Sequence, residues 1–175
     1  MRRTSQDFNL PATLIGATPY LVAAKFLEPE MMRVLREAGA DPRRPMRDGA
    51  TPLMVAVGMG AAGQADRRGL SVLDGGAIEP DSQVLETATV ALDLGSDVDA
   101  VNGEGDTALH EAATRGHDAV VRLLVERGAR LDLRNSRGQT PLGALVARSA
   151  RASEPSREFE LQSTIDVLRQ LGAPE

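Results

Sequence analysis

Two histidines and no cysteine limit the chemistry that this chain of 175 residues can carry. His110-Glu111 opens like the zinc motif H-E-x-x-H, in which histidines one helical turn apart hold the metal and the glutamate acts as base. Thr114 stands where the second histidine belongs, and there is no thiolate to replace it. Metal binding and imidazole catalysis are therefore not expected, and no catalytic residue is named. A second motif is Gly58-Met59-Gly60-Ala61-Ala62-Gly63, which follows the apolar run Leu53-Met54-Val55-Ala56-Val57. A strand, then G-x-G-x-x-G opening a helix, is the dinucleotide fingerprint, because backbone N–H groups there meet the pyrophosphate. Residues 64–76 carry no apolar helical stripe, and no partner strands for a parallel sheet are present. The glycine triplet alone is a weak sign of a nucleotide or small-ligand site. Aspartate and glutamate are plentiful, but no carboxylate pair can be assigned to a shared pocket. Each is read as a solvated charge.

The elements that would position such residues announce themselves by a period. Thr18, Thr51, Thr107 and Thr140 each follow a glycine two residues back. The first and second threonines are 33 residues apart, as are the third and fourth. Between Thr51 and Thr107 lie 56, one period plus an insert of 23. A threonine at a helix start caps free N–H groups, and the proline after three of the four suits the first helical position. After Thr107, small Ala112 and Ala113 allow close helix approach. Then Val120, Val121, Leu123 and Leu124 form a stripe of helical rather than strand period, and Gly128 is placed to end the helix left-handed. Similar stripes precede Gly39, Gly95 and Gly172, weakest before Gly95, so the second repeat is expected to be the least stable.

This period and the variants Thr18-Pro19-Tyr20-Leu21, Thr51-Pro52-Leu53-Met54, Thr107-Ala108-Leu109-His110 and Thr140-Pro141-Leu142-Gly143 resemble the T-P-L-H-x-A signature of the ankyrin-repeat family. The resemblance runs from about Thr13 to the C-terminus. It implies an all-α solenoid of stacked helix–turn–helix units with short hairpin fingers, in one domain covering residues 1–175. The repeats are expected at about 13–45, 46–101, 102–134 and 135–175. Within that register 53–57 reads as helix, which removes the strand that the dinucleotide fingerprint requires.

Glu28-Pro29, Glu79-Pro80 and Glu154-Pro155 precede the second helices of repeats one, two and four. The inserts of repeats two and four should partly lengthen those helices, with loops at 60–78 and 149–153. Both loops leave the rim opposite the fingers. They are read as tolerated surface insertions, with a second recognition edge as the alternative. Residues 1–12 have no repeat register and are read as an N-terminal cap or a remnant. Phe8 and Leu10 are candidates to fold over the first repeat. The chain is either a complete short array with improvised caps or a piece of a longer one, and the second reading is preferred.

Composition narrows the partners. Aromatic residues make up only 2%, so the core must be aliphatic and a large aromatic-lined pocket is disfavoured. A net charge of −5 argues against nucleic acid as the main partner. Arg43-Arg44 and Arg67-Arg68 are short basic pairs, read as solvated loops. No run is long and apolar enough for a membrane span. The start Met1-Arg2-Arg3 lacks a signal-type apolar region after it, which favours the cytoplasm. Lys25 is the only lysine, and the Arg-, Ala- and Gly-rich composition points to a GC-rich bacterial genome.

The family resemblance implies non-catalytic protein recognition by a monomer without cofactor, through the concave face of finger tips and first helices. The runner-up is a regulatory or targeting segment of a larger enzyme whose catalytic domain lies outside this chain. Repeat register assigns Arg47, Asp48, Met59, Glu104, Asp106, Thr114, Arg115, Arg137, Gln139 and Arg148 to the binding face. Leu14, Ile15 and Phe26 form a possible apolar patch at its N-terminal end, unless residues 1–12 or an upstream repeat cover them.

Overall fold

The computed structural model describes residues 17–59, 81–150 and 155–174, apart from the side chains of Met59 and of 155–160. All regular structure among them is helical. Helix α1 is Pro19–Lys25, α2 is Pro29–Glu37, and α3 is Pro52–Met54, which continues as a π-helical segment Val55–Met59. Then come α4 Asp81–Asp93, α5 Ala108–Arg115, α6 Asp118–Glu126, α7 Pro141–Ser149 and α8 Pro155–Gln170. Loop 60–78, residues 151–153 of the second loop, residues 1–12, Leu14 and Ile15 lie outside the described residues.

The threonines start the first helix of every repeat. Thr18 Oγ1 accepts from the Leu21 N–H at 3.2 Å, Thr51 from Met54 at 3.3 Å, Thr107 from His110 at 3.4 Å and Thr140 from Gly143 at 3.1 Å. Each threonine backbone is extended, so one residue both satisfies a free N–H and turns the chain into the helix. The second helices stop on Gly39, Gly95, Gly128 and Gly172, all at φ between +86° and +98°. The next N–H then reaches back over the turn, as from Ala129 to Leu124 O at 2.9 Å, and closes the orphan carbonyls. Between the helices of repeat three Gly116 is also left-handed, at φ +84°. In repeat one the same place is held by Leu27 at φ +54°. A leucine is strained there, but its side chain is buried in the core.

The helices stack in two rows. First helices α1, α3 with its π segment, α5 and α7 form the inner row, and α2, α4, α6 and α8 form the outer row. One aliphatic core runs between the rows. Leu53, Leu109 and Leu142 line it from the inner row, with Val84, Val121, Leu124 and Leu168 from the outer. Ala112 and Ala113 are fully buried, which lets α5 pack against helices on several sides. The longer outer helices belong to the repeats with inserts: α4 has 13 residues and α8 has 16, against 9 in α2 and α6.

The segment 53–57 is helical, α and then π, so the dinucleotide motif has no strand before it. Gly60 to Gly63 of that motif lie outside the described residues. Arg43 is more than a solvated charge: its Nε donates to Gly95 O at 2.8 Å and ties the turn after α2 to the end of α4.

His110 bolts two repeats together. Its Nδ1 accepts from the Thr107 N–H at 3.2 Å and meets the Thr107 hydroxyl at 2.9 Å, so Nε2 carries the proton and donates to Gln139 O at 3.1 Å. Burial pushes the His110 pKa down from 6.5, against the smaller opposing effects of the Gln139 carbonyl and Asp106. The unfolded chain therefore takes up a proton that the native ring refuses. The associated stability is complete above pH 6.5 and is lost as pH falls through the depressed native pKa. His110→Gln should lower stability at pH 7.5, yet remove a slope of at most about 1.4 kcal/mol per pH unit between pH 6.5 and 5. Urea unfolding across that range reads both effects.

Candidate functional site

Among the described residues three hairpin fingers, the second, third and fourth after their repeats, stand beside the inner helices, at 46–50, 102–106 and 135–139. Each is closed by a backbone bond across its base: Met46 N–H to Ala50 O, Asn102 to Asp106 and Asn135 to Gln139, at 2.8–3.0 Å. Gly49, Gly105 and Gly138 turn the tips at φ +83°, +78° and +72°. At Gly49 the requirement is double, since a Cβ would lie 3.0 Å from the Gly103 nitrogen of the next finger. The fingers are also joined in sequence. The Gly103 N–H donates to Asp48 O at 2.7 Å, and Ser136 donates to Glu104 O at 2.8 Å.

Asparagine side chains fix the third and fourth tips. Asn102 Oδ1 accepts from the N–H groups of Glu104 and Asp106 at 2.9 Å. Asn135 Oδ1 does the same for Arg137 and Gln139 at 3.0 Å, and its Nδ2 donates to Asp106 Oδ1 at 2.8 Å. In the second finger the tip residue Asp48 accepts from the Ala50 N–H through its own side chain, at 3.0 Å.

The residues assigned by register fall into distinct surroundings. Arg47 and Asp48 are exposed on the second finger, and Glu104 and Arg137 form an exposed pair at 3.0 Å between the third and fourth. Such a pair adds little to stability. Asp106 and Gln139 are half-buried and partly committed to the finger framework. Thr114 and Arg115 are half-buried at the end of α5, where Thr114 Oγ1 donates to Glu111 O at 3.2 Å, and Arg148 is exposed near the end of α7. Phe26 is 48% exposed at the end of α1. Met59 ends the π segment, and its side chain lies outside the description.

Glu111 is the residue that the register map passed over. It stands four positions after its threonine, where the other repeats carry Val22, Val55 and Ala144. A carboxylate in an aliphatic column was the sign that could have found it. It lies against Gly58 of the preceding repeat, where an added Cβ would meet the Glu111 Cβ at 2.5 Å and Oε2 at 2.7 Å. Gly58 thus makes room for a neighbouring side chain. Burial raises the Glu111 pKa above 4.5; Arg115 and Arg148 pull it back, while Asp106 and Glu104 push it further up. A half-buried acid therefore sits among two more carboxylates and two guanidiniums, on the side that carries the fingers. Among the described residues no group of three or more His, Cys, Asp or Glu side chains is arranged to hold a metal ion.

Two outcomes follow at this contact. Gly58→Ala should cost about 1–3 kcal/mol, because the new methyl has no room beside the Glu111 Cβ. Glu111→Gln should stabilise the chain at pH 7. The native environment prefers the protonated acid, so stability falls as pH rises from 4.5 through the raised pKa, and glutamine removes that loss. Urea midpoints at pH 4 and pH 7 should show the gain at pH 7 and its shrinkage at pH 4.

Comparison with known proteins agrees with this geometry. The family model for ankyrin repeats in three copies matches residues 77–153. Human Ankyrin repeat and SOCS box protein 18 is 44% identical over 78 residues, 44% of this chain and 17% of that protein. Human Ankyrin repeat and KH domain-containing protein 1 is 35% identical over 114 residues, 64% of this chain and 4% of that protein. Protein PhlB of Serratia liquefaciens is 41% identical over 66 residues, 37% of this chain and 29% of that protein. The chain thus spans under a third of each of these relatives. Most of the relatives are animal proteins, which lends no support to the bacterial origin read from composition. Among the described residues no helix is long and apolar enough to cross a membrane. The recurrent threonine caps, the two-row helical stack and the family match together establish that the chain is an ankyrin-repeat protein.

Proposed function

We propose that this chain is a non-catalytic recognition module that binds a partner protein through its concave face. Ankyrin repeats are in general protein-interaction modules, and fold alone does not choose a partner. The observation that carries the reading is the mixed charge cluster on repeats three and four. Glu104, Asp106 and Arg137 come from the fingers, and Glu111, Arg115 and Arg148 from the inner helices. The fingertip backbones are held by asparagine and cross-finger bonds, so the charges are presented on a rigid frame, which lowers the cost of binding. Arg47, Asp48, Met59, Thr114 and Gln139 extend the proposed surface to either side. A partner segment with both signs of charge would match it, and charge complementarity mainly governs specificity and encounter rate.

A second reading rests on length. Relatives such as the SOCS-box and KH-domain proteins are much longer than their aligned parts. The chain could thus act as the regulatory or targeting segment of a larger protein, including an enzyme.

The test is a quantitative capture from source-like lysate, comparing the native chain with a folded Arg115→Glu/Arg148→Glu variant. A partner retained by the native chain and bound at least about ten-fold more weakly by the variant, a loss of roughly 1.4 kcal/mol, supports the concave face. Equal retention by both moves the site elsewhere on the molecule. Retention by neither favours the second reading.

A further inference from the structure

The stacking register is open at the first repeat. Counted back from the glycine that ends each outer helix, Met31 matches Thr87, Val120 and Thr164, and Val34 matches Val90, Leu123 and Val167. The three counterparts of Met31 are fully buried, and those of Val34 are buried or half-buried in the core. At Thr164 the covering group is visible: its hydroxyl donates to Asp118 of the preceding outer helix. This column therefore faces the preceding unit. Met31 and Val34 are nevertheless 51% and 58% exposed. Met32, next in sequence, is fully buried, so the exposure belongs to one side of α2.

We propose that the chain's own first sixteen residues dock on this face, with Phe8 and Leu10 as anchors. The register shows that the face is shaped to be covered, since every later repeat covers the same column. The sixteen residues before Ala17 carry Phe8, Leu10, Leu14 and Ile15. From Ala17 back to Phe8, extended chain reaches roughly 30 Å. The tether also gives the segment an effective concentration in the millimolar range. Arg2 and Arg3 lie at the far end of the segment, and Glu28 is exposed at the start of α2, while Glu30 is already paired with Arg33. A second copy is a poorer occupant, because a stable interface buries about 800 Å² per partner, far more than two half-exposed side chains present. This docking is independent of the concave-face reading.

Methionine oxidation tests it, because a thioether reacts with peroxide according to its exposure. Full-length chain and a Phe8→Asp/Leu10→Asp variant are treated with hydrogen peroxide, and Met31 and Met32 are read separately by fragment mass spectrometry. Met31 should oxidise several-fold more slowly in the native chain than in the variant, with Met32 slow in both. Equal Met31 rates in the two proteins overturn the proposal. So does protection of Met31 that disappears on dilution, which would mark a second copy as the occupant. Should the double variant also expose Met32, the milder Phe8→Ala is read by the same comparison.

Discussion

Each repeat of this protein is a helix pair whose apolar surface is wider than the pair can cover by itself. The structure depends on that constraint. A helix pair of about 33 residues has too little interior to offset its ordering entropy, so stability comes from the contact with the next pair. The geometry of every contact follows. Alanines on α5 allow close approach, the threonine caps set where each inner helix begins, and terminal glycines return the chain to start the next unit. His110 adds a polar bolt to the same joint, bonding back to its own cap and across to the fourth finger.

The surface proposed for recognition is a by-product of this stacking. Because inner helices and fingers repeat in register, side chains at one repeat position form a column across the molecule. Residues 33 or so apart in sequence become neighbours, as Glu104 and Arg137 do. The columns need not be uniform. The one containing Val22, Val55 and Ala144 is aliphatic except for Glu111, whose half-buried carboxyl is disfavoured by burial and only partly compensated by Arg115 and Arg148.

The fold was legible in the sequence because its causes are local. A threonine cap, a following proline and a left-handed glycine act within a few residues, and their spacing revealed the repeat. The insert positions were legible by subtraction, and the Glu-Pro pairs marked where the longer outer helices resume. Less could be read where the cause is a neighbour distant in sequence. Arg43 reads in the sequence as part of a solvated loop, and its bond to a carbonyl 52 residues away has no local sign. The π-helical turn at Val55–Met59 had no sign in its composition. Gly58 suggested a phosphate loop, and its role emerged only when the next repeat placed Glu111 against it.

The sequence by itself determined the all-helical class, the repeat period and the caps, because these follow from short-range backbone chemistry repeated at a fixed interval. Tertiary structure alone decided which charges meet, which acid is half-buried and which apolar side chains stay exposed. Desolvation and pairing depend on what the adjacent repeat supplies, and no single repeat encodes its neighbour.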